Sequence, residues 1–226
     1  MTHRARLITL SAALALAACA TGDEEEAPGH PPQTAVLPGL PSPTGSPVEL
    51  SGWEVTVYYT AVASLHTGRA AAVTGCPTID CTKGRDQRDL GRFPESFVEA
   101  VKDESTGKVA DGRYLNWSYD TGYWMDTAPR DTAGRPLVPW VSAAADGDVL
   151  GQGSRFTILR CGTAGVTAEV CATLKAPTWT IVDEFTPGLG GGKHVDVYIG
   201  EETTKNFTDS DLYTTLNGAT LAIVKA

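Results

Sequence analysis

Histidine is nearly missing from this chain: four in 226 residues, of which only His66 and His194 fall in the part that reads as folded. No Cys-x-x-Cys pair accompanies them, so the ligand spacing of a zinc site is absent and no metal is expected. Basic residues are also short, 18 Lys and Arg against 27 Asp and Glu, for a net charge of −9. That deficit excludes the basic footprint that nucleic acid requires. It also argues against electrostatic adhesion to anionic wall polymers or lipid head groups, while a neutral partner such as a glycan stays compatible. Gly188-x-Gly190-x-x-Lys193 lacks the third glycine of a dinucleotide loop and precedes no helical pattern, so no cofactor is expected. Gly151-Gln-Gly153-Ser154 is not a nucleophile elbow, and the closely spaced oxygen ligands of a calcium loop are missing. No repeat recurs at a solenoid period, and nothing calls for a second domain.

The one long apolar run, Leu7 to Ala18, is too short to cross a bilayer comfortably. With Arg4 and Arg6 ahead of it, it reads as a secretion signal over residues 1–18. Its end, Leu16-Ala17-Ala18-Cys19, resembles the bacterial lipobox. That resemblance implies cleavage before Cys19, a lipid on its thiol, and an extracytoplasmic protein anchored to the cell membrane. The alternative is an ordinary signal peptide with Cys19 incidental. Residues 19–51 then form a linker: Asp23-Glu24-Glu25-Glu26 opens it, and Pro28, Pro31, Pro32, Pro38, Pro41, Pro43 and Pro47 stiffen it. Many prolines and few apolar residues cannot build a core, so an extended tether is expected. Export decides the remaining cysteines, Cys76, Cys81, Cys161 and Cys171. An even number in an exported chain reads as disulfides, with three pairings open. Cys76–Cys81 and Cys161–Cys171 are favoured, because each pair brackets a short turn-rich segment.

The globular domain is expected over residues 52–226. Trp53 to Thr60 alternates and is rich in β-branched and aromatic residues, the pattern of a strand. Residues 61–92 read as loop. Pro94 to Glu104 reads as the one helix, with Phe97, Val98 and Val101 on one face and Gly107 as its stop. Further strands are expected at 113–117, 137–145, 156–161, 168–174, 179–182, 195–199 and 219–224, with an aromatic, polar loop over 118–136. The fold class is therefore all-β with a minor helix, and many short strands point to a small closed barrel.

One stretch draws chemistry together. Trp179 to Gly200 reads as strand, glycine loop, strand, with Asp183 leaving the first strand and Asp196 inside the second. Gly188, Gly190, Gly191 and Gly192 between them allow close backbone approach. Period-two alternation puts His194, Asp196 and Tyr198 on one face, opposite Val195 and Val197. A solvated face, or carboxylates that bond loop amides to fix a barrel, would give the same pattern. For a sugar ligand the aromatic candidates are Tyr58, Tyr59, Tyr114, Trp117, Tyr119, Tyr123 and Trp124, residues that equally often pack barrels. Tyr58 and Thr60 at the end of the first strand, and Trp117 and Tyr123 in the aromatic run, are the leading substrate-binding candidates.

Three stretches in order resemble the three-aspartate (3D) domain, a double-psi β-barrel family. They are Val141-Ser-Ala-Ala-Ala-Asp146 with Gly153-Ser-Arg-Phe-Thr-Ile158, then Val182-Asp183 with its glycine loop, then Val195-Asp196-Val-Tyr-Ile199. Leu216 to Val224 is similar to the family's last strand, and Phe93 to Asn116 resembles an insertion seen in some members. The likeness spans residues 53–224. It implies a six-stranded double-psi β-barrel with a helical and loop insertion after the first strand. It also implies action on a β-1,4 glycan, peptidoglycan first, as in the family's lytic transglycosylases, spore muralytic enzymes and expansin-like relatives. By position, Asp196 matches the general acid/base, and Asp183 and Asp146 match the supporting aspartates. The leading expectation is glycan cleavage by a lytic transglycosylase mechanism. The alternatives are a non-hydrolytic wall-glycan binder of the expansin sort and a barrel that only contacts another envelope protein. Glu184-Phe185-Thr186-Pro187 stands where Thr-Gly-Gly is more common in the family, and Leu150-Gly-Gln-Gly153 lacks the family's proline.

Overall fold

The computed structural model describes residues 48–81, 84–162 and 165–224. The signal segment, Cys19 and nearly all of the linker lie outside them. Within the described residues, strands β1 (Val48–Val62), β2 (Ala70–Gly75) and β3 (Arg88–Pro94) precede helix α1 (Glu95–Glu104). Strands β4 (Thr106–Lys108), β5 (Tyr114–Ser118), β6 (Gly122–Asp126), β7 (Ser142–Ala144) and β8 (Arg155–Arg160) follow. Helix α2 (Ala168–Lys175) and strands β9 (Trp179–Asp183), β10 (His194–Glu201) and β11 (Leu216–Val224) complete the order.

Six of these strands close a barrel in the order β10-β7-β9-β8-β11-β1, with β1 returning to β10. Two of its pairings are parallel, β1 with β10 and β7 with β9, and the others are antiparallel. This is the double-psi barrel the sequence led to expect. Alternation along β1 and β10 explains the interior. Val55, Val57, Tyr59 and Ala61 enter one hydrophobic core with Val195, Val197 and Ile199, joined by Phe156, Ile158, Trp179, Ile181, Leu216 and Leu221. The other face of the two strands carries Thr56, Tyr58 and Thr60 beside His194, Asp196 and Tyr198.

The insertion between β1 and β7 is more ordered than its sequence indicated. Residues 61–92, read as loop, contain the β2–β3 hairpin, with a register shift between Val73 and Thr74. The charged Arg88 and Asp89 lie on exposed strand positions. Residues 118–136 likewise contain β6, which pairs with β5 from Tyr114↔Asp126 to Ser118↔Gly122. The β4–β5–β6 unit hangs on the far end of β1 through Ala61↔Gly107 and Val62↔Lys108. β1 itself starts at Val48, ahead of Gly52, because Val48 to Ser51 pair with β11. The stretch 168–174, expected as a strand, is helix α2. Thr167 caps it by accepting the Val170 N–H at 3.2 Å, and Glu169 and Lys175 suit the two helix ends. Both favoured disulfides, Cys76–Cys81 and Cys161–Cys171, are present.

Helix α1 ends at Glu104, and Ser105 after it takes the left-handed conformation at φ 69°, so Gly107 is not the stop. Gly107 serves packing instead. A methyl there would sit 2.3 Å from Val101 Cγ2 and 2.6 Å from Phe97 Cε2. Gly107→Ala is expected to destabilise the domain by about 1–3 kcal/mol, lowering Tm by roughly 2–10 °C in thermal denaturation followed by circular dichroism.

Candidate functional site

A groove of about 250 Å³ opens on the polar face of β1 and β10, lined among others by Thr56, Tyr58, Glu104, Asp183, Phe185, His194, Asp196 and Tyr213. The parallel pairing of β1 with β10 sets Thr56 against Asp196 and Tyr58 against Tyr198. Across the other edge of β10, Asp196 faces Ala144 of β7. Its neighbours Val195 and Val197 point into the core, so the carboxyl is held at the groove floor by the barrel's own alternation.

Asp196 is half-buried as a residue, but its Oδ1 is inaccessible and no described group hydrogen-bonds it. Burial pushes its pKa up to about 7 against the smaller opposing effect of the Thr56 hydroxyl, and the charge of Asp183 adds to the rise. Asp183 ends β9 and is buried. Its Oδ1 accepts the N–H of Thr132 and of Glu184, both at 2.9 Å. Burial pushes it up to about 6, although those two amides pull the other way. The Thr132 amide is delivered by a turn built on buried Asp131, whose carboxylate accepts the N–H groups of Ala133 and Arg135 and pairs with the Arg135 Nε at 2.7 Å. Tyr58 walls the groove against Tyr198, ring centroids 5.2 Å apart. Its hydroxyl has no hydrogen-bond partner among the described residues, and burial, then the charges of Asp183 and Asp196, hold its pKa well above the usual tyrosine value.

The third carboxyl was not anticipated. Glu104, the last residue of α1, is 6% exposed. It accepts the Tyr213 O–H at 2.8 Å and the Tyr59 N–H at 3.3 Å. Burial pushes it up to about 8 despite the Tyr213 bond, and the charge of Asp196 raises it further. The sequence did carry a signal: Asp103 and Glu104 occupy the last helical turn, where the helix dipole disfavours acids. A larger cavity, about 420 Å³, lies on the far side of Glu104 and Tyr213. Its most buried acid, Glu202, is already paired with His66 Nε2 at 2.7 Å, whereas Asp196 keeps an unsatisfied oxygen, so the smaller groove is the better site.

The other sequence candidates lie elsewhere. Asp146 is not among the groove's lining residues. Its carboxylate packs on the glycine loop so closely that a methyl on Gly190 would come within 2.2 Å of Oδ2. Thr60 is fully buried, its hydroxyl 2.6 Å from that of Tyr198. Trp117 and Tyr123 face each other across β5 and β6 and pack against the core, with the Tyr123 O–H donating to the Val98 carbonyl at 3.0 Å. Among the described residues no three His, Cys, Asp or Glu side chains converge as ligands for a metal ion.

No protein-family model matches this chain, and a search of curated proteins finds no match. Solved structures do resemble it. The lytic transglycosylase MltA of Escherichia coli, with bound chitohexaose, is similar at TM-score 0.50 and 11% identity over 77% of this chain and 72% of that one. A membrane-bound lytic murein transglycosylase from Agrobacterium tumefaciens is similar at TM-score 0.49 and 11% identity, over 76% of this chain and 73% of that one. At such identity the likeness to MltA establishes the shared fold.

Three raised carboxyls have a consequence for stability. The folded chain keeps protons on Asp183, Asp196 and Glu104 that the unfolded chain releases from about pH 4 upward. Their stabilising contribution is complete below that range and is lost as pH rises through about 6, 7 and 8. The double variant Asp196→Asn, Glu104→Gln is therefore expected to lose less Tm than the parent chain when both are melted at acidic and then at mildly alkaline pH.

Proposed function

We propose that this chain is an extracytoplasmic lipoprotein, anchored through Cys19, whose 3D-type barrel cleaves the β-1,4 glycan strands of peptidoglycan by a lytic transglycosylase mechanism. The observation that carries the reading is Asp196. It is a carboxyl in an open groove with its pKa pushed up to about 7, so protonated and ionised forms coexist near neutrality. That is what a single residue needs to act as acid and then as base.

In the first half of the reaction the Asp196 carboxylic acid gives its proton to the glycosidic oxygen, and the bond from that oxygen to the anomeric carbon breaks. In the second half the Asp196 carboxylate accepts the proton of the same sugar's 6-hydroxyl as that oxygen bonds to the anomeric carbon. The products are a strand with a 1,6-anhydro end and a strand with a free 4-hydroxyl. Water is not consumed, and Asp196 finishes with the proton it began with. Asp183 raises the acidity range of Asp196 through its negative charge. The supports are the ordered aspartate motifs, the fold shared with MltA, and the chitohexaose bound in that protein. Two disulfides suit an oxidising compartment outside the cytoplasm.

The test is to incubate the chain with murein sacculi and analyse the released fragments by mass spectrometry. Fragments with 1,6-anhydro ends are expected, and Asp196→Asn is expected to reduce their rate by about a hundredfold or more. Binding to sacculi with no anhydro product would sink the enzyme reading and leave a wall-glycan binder. Because the protonated acid starts the reaction, the rate is expected to fall as pH rises through about 7, measured as initial rate across a pH series.

A further inference from the structure

The groove's lining joins two chemistries. It holds the carboxyls of Asp103, Glu104, Asp183, Glu184 and Asp196, with no lysine or arginine among the lining residues. It also holds Phe185, Leu189 and His194. Phe185 and His194 are stacked, ring centroids 4.4 Å apart and planes inclined by 32°. The stack is braced from below, because His194 Nε2 is hydrogen-bonded to the Thr56 hydroxyl at 2.8 Å. Leu189, at the tip of the glycine loop, is 65% exposed, and with His194 it also lines the glycine-floored hollow beyond the groove.

A pyranose ring with equatorial substituents has a matching shape. Its flat face of C–H groups suits an aromatic platform, and its rim of hydroxyl and amide groups suits carboxyls. His194 and Asp196 are two residues apart on one face of β10, about 6–7 Å along the strand, so a sugar stacked over the Phe185–His194 pair lies next to Asp196.

We propose that the Phe185–His194 stack is the platform for the sugar adjoining the scissile bond, with Leu189 as its outer lip. This rests on the glycan reading above. Fixing the ring pair in advance through Thr56 lowers the ordering cost of binding.

The test measures chitohexaose binding by calorimetry on the full chain carrying Asp196→Asn, so that turnover does not intervene. Adding Phe185→Ala is expected to weaken binding by about three- to tenfold, and Phe185→Trp to retain or tighten it. Phe185→Leu keeps the apolar volume without the ring face and serves if the alanine variant unfolds; it too is expected to bind more weakly. In the active chain Phe185→Ala is expected to raise KM more than it lowers kcat. If Phe185→Ala and Phe185→Leu bind like the parent, the platform is wrong while the glycan reading stands. If Asp196→Asn alone binds neither chitohexaose nor sacculi, both fall.

Discussion

The parallel pairing of β1 with β10 is the constraint on which the rest of the molecule depends. It closes the six-stranded barrel, and in the same register it sets Val55 and Val57 beside Val195 and Val197 in the core. Alternation then leaves Thr56, Tyr58 and Thr60 beside His194, Asp196 and Tyr198 on the reverse face. A slip of one residue would turn Asp196 into the hydrophobic interior and Val195 or Val197 into the groove. The position of the acid and the integrity of the core are thus one choice, made by two strands far apart in sequence.

The electrostatics follow from that placement. Desolvation is the largest influence on Asp183, Asp196 and Glu104 alike, and no cation lines the groove to offset it. Each of the three is moderated differently: Asp183 by two backbone amides, Glu104 by Tyr213 and the Tyr59 amide, and Asp196 by the Thr56 hydroxyl, with one oxygen left over. Carboxyls in one groove thereby acquire graded acidities.

The barrel was legible because its strands alternate and its turns carry glycine, and because the aspartate motifs come in a recognisable order. The pairing of cysteines was legible from short separations. What escaped the sequence was structure held by distant partners. The β2–β3 hairpin was hidden by charged residues on its exposed positions, since charge marks solvent rather than loop. Helix α2 was mistaken for a strand because Val170, Ala172 and Leu174 alternate with polar neighbours, while the cap formed by Thr167 was passed over. Asp183 and Asp196 share one groove because β9 and β10 both flank β7. Asp146, matched by the family resemblance, turns instead onto Gly190, whose missing side chain makes room for it. Glu104 could not be placed from sequence, because its partners come from distant segments, Tyr59 from β1 and Tyr213 from the connection between β10 and β11.

That junction has a bearing on how such a protein can change. An inserted segment is ordinarily the cheapest part of a fold to shorten, since loops tolerate deletion. Here one residue of the insertion occupies a hydrogen-bonding group of barrel strand β1 and another of the connection between β10 and β11. Removing the segment would strand the Tyr59 N–H and the Tyr213 O–H in a pocket made for a carboxyl. The insertion is therefore less an ornament on the barrel than a wedge seated in it, and any lineage or design that trims it must rebuild those two tyrosines as well.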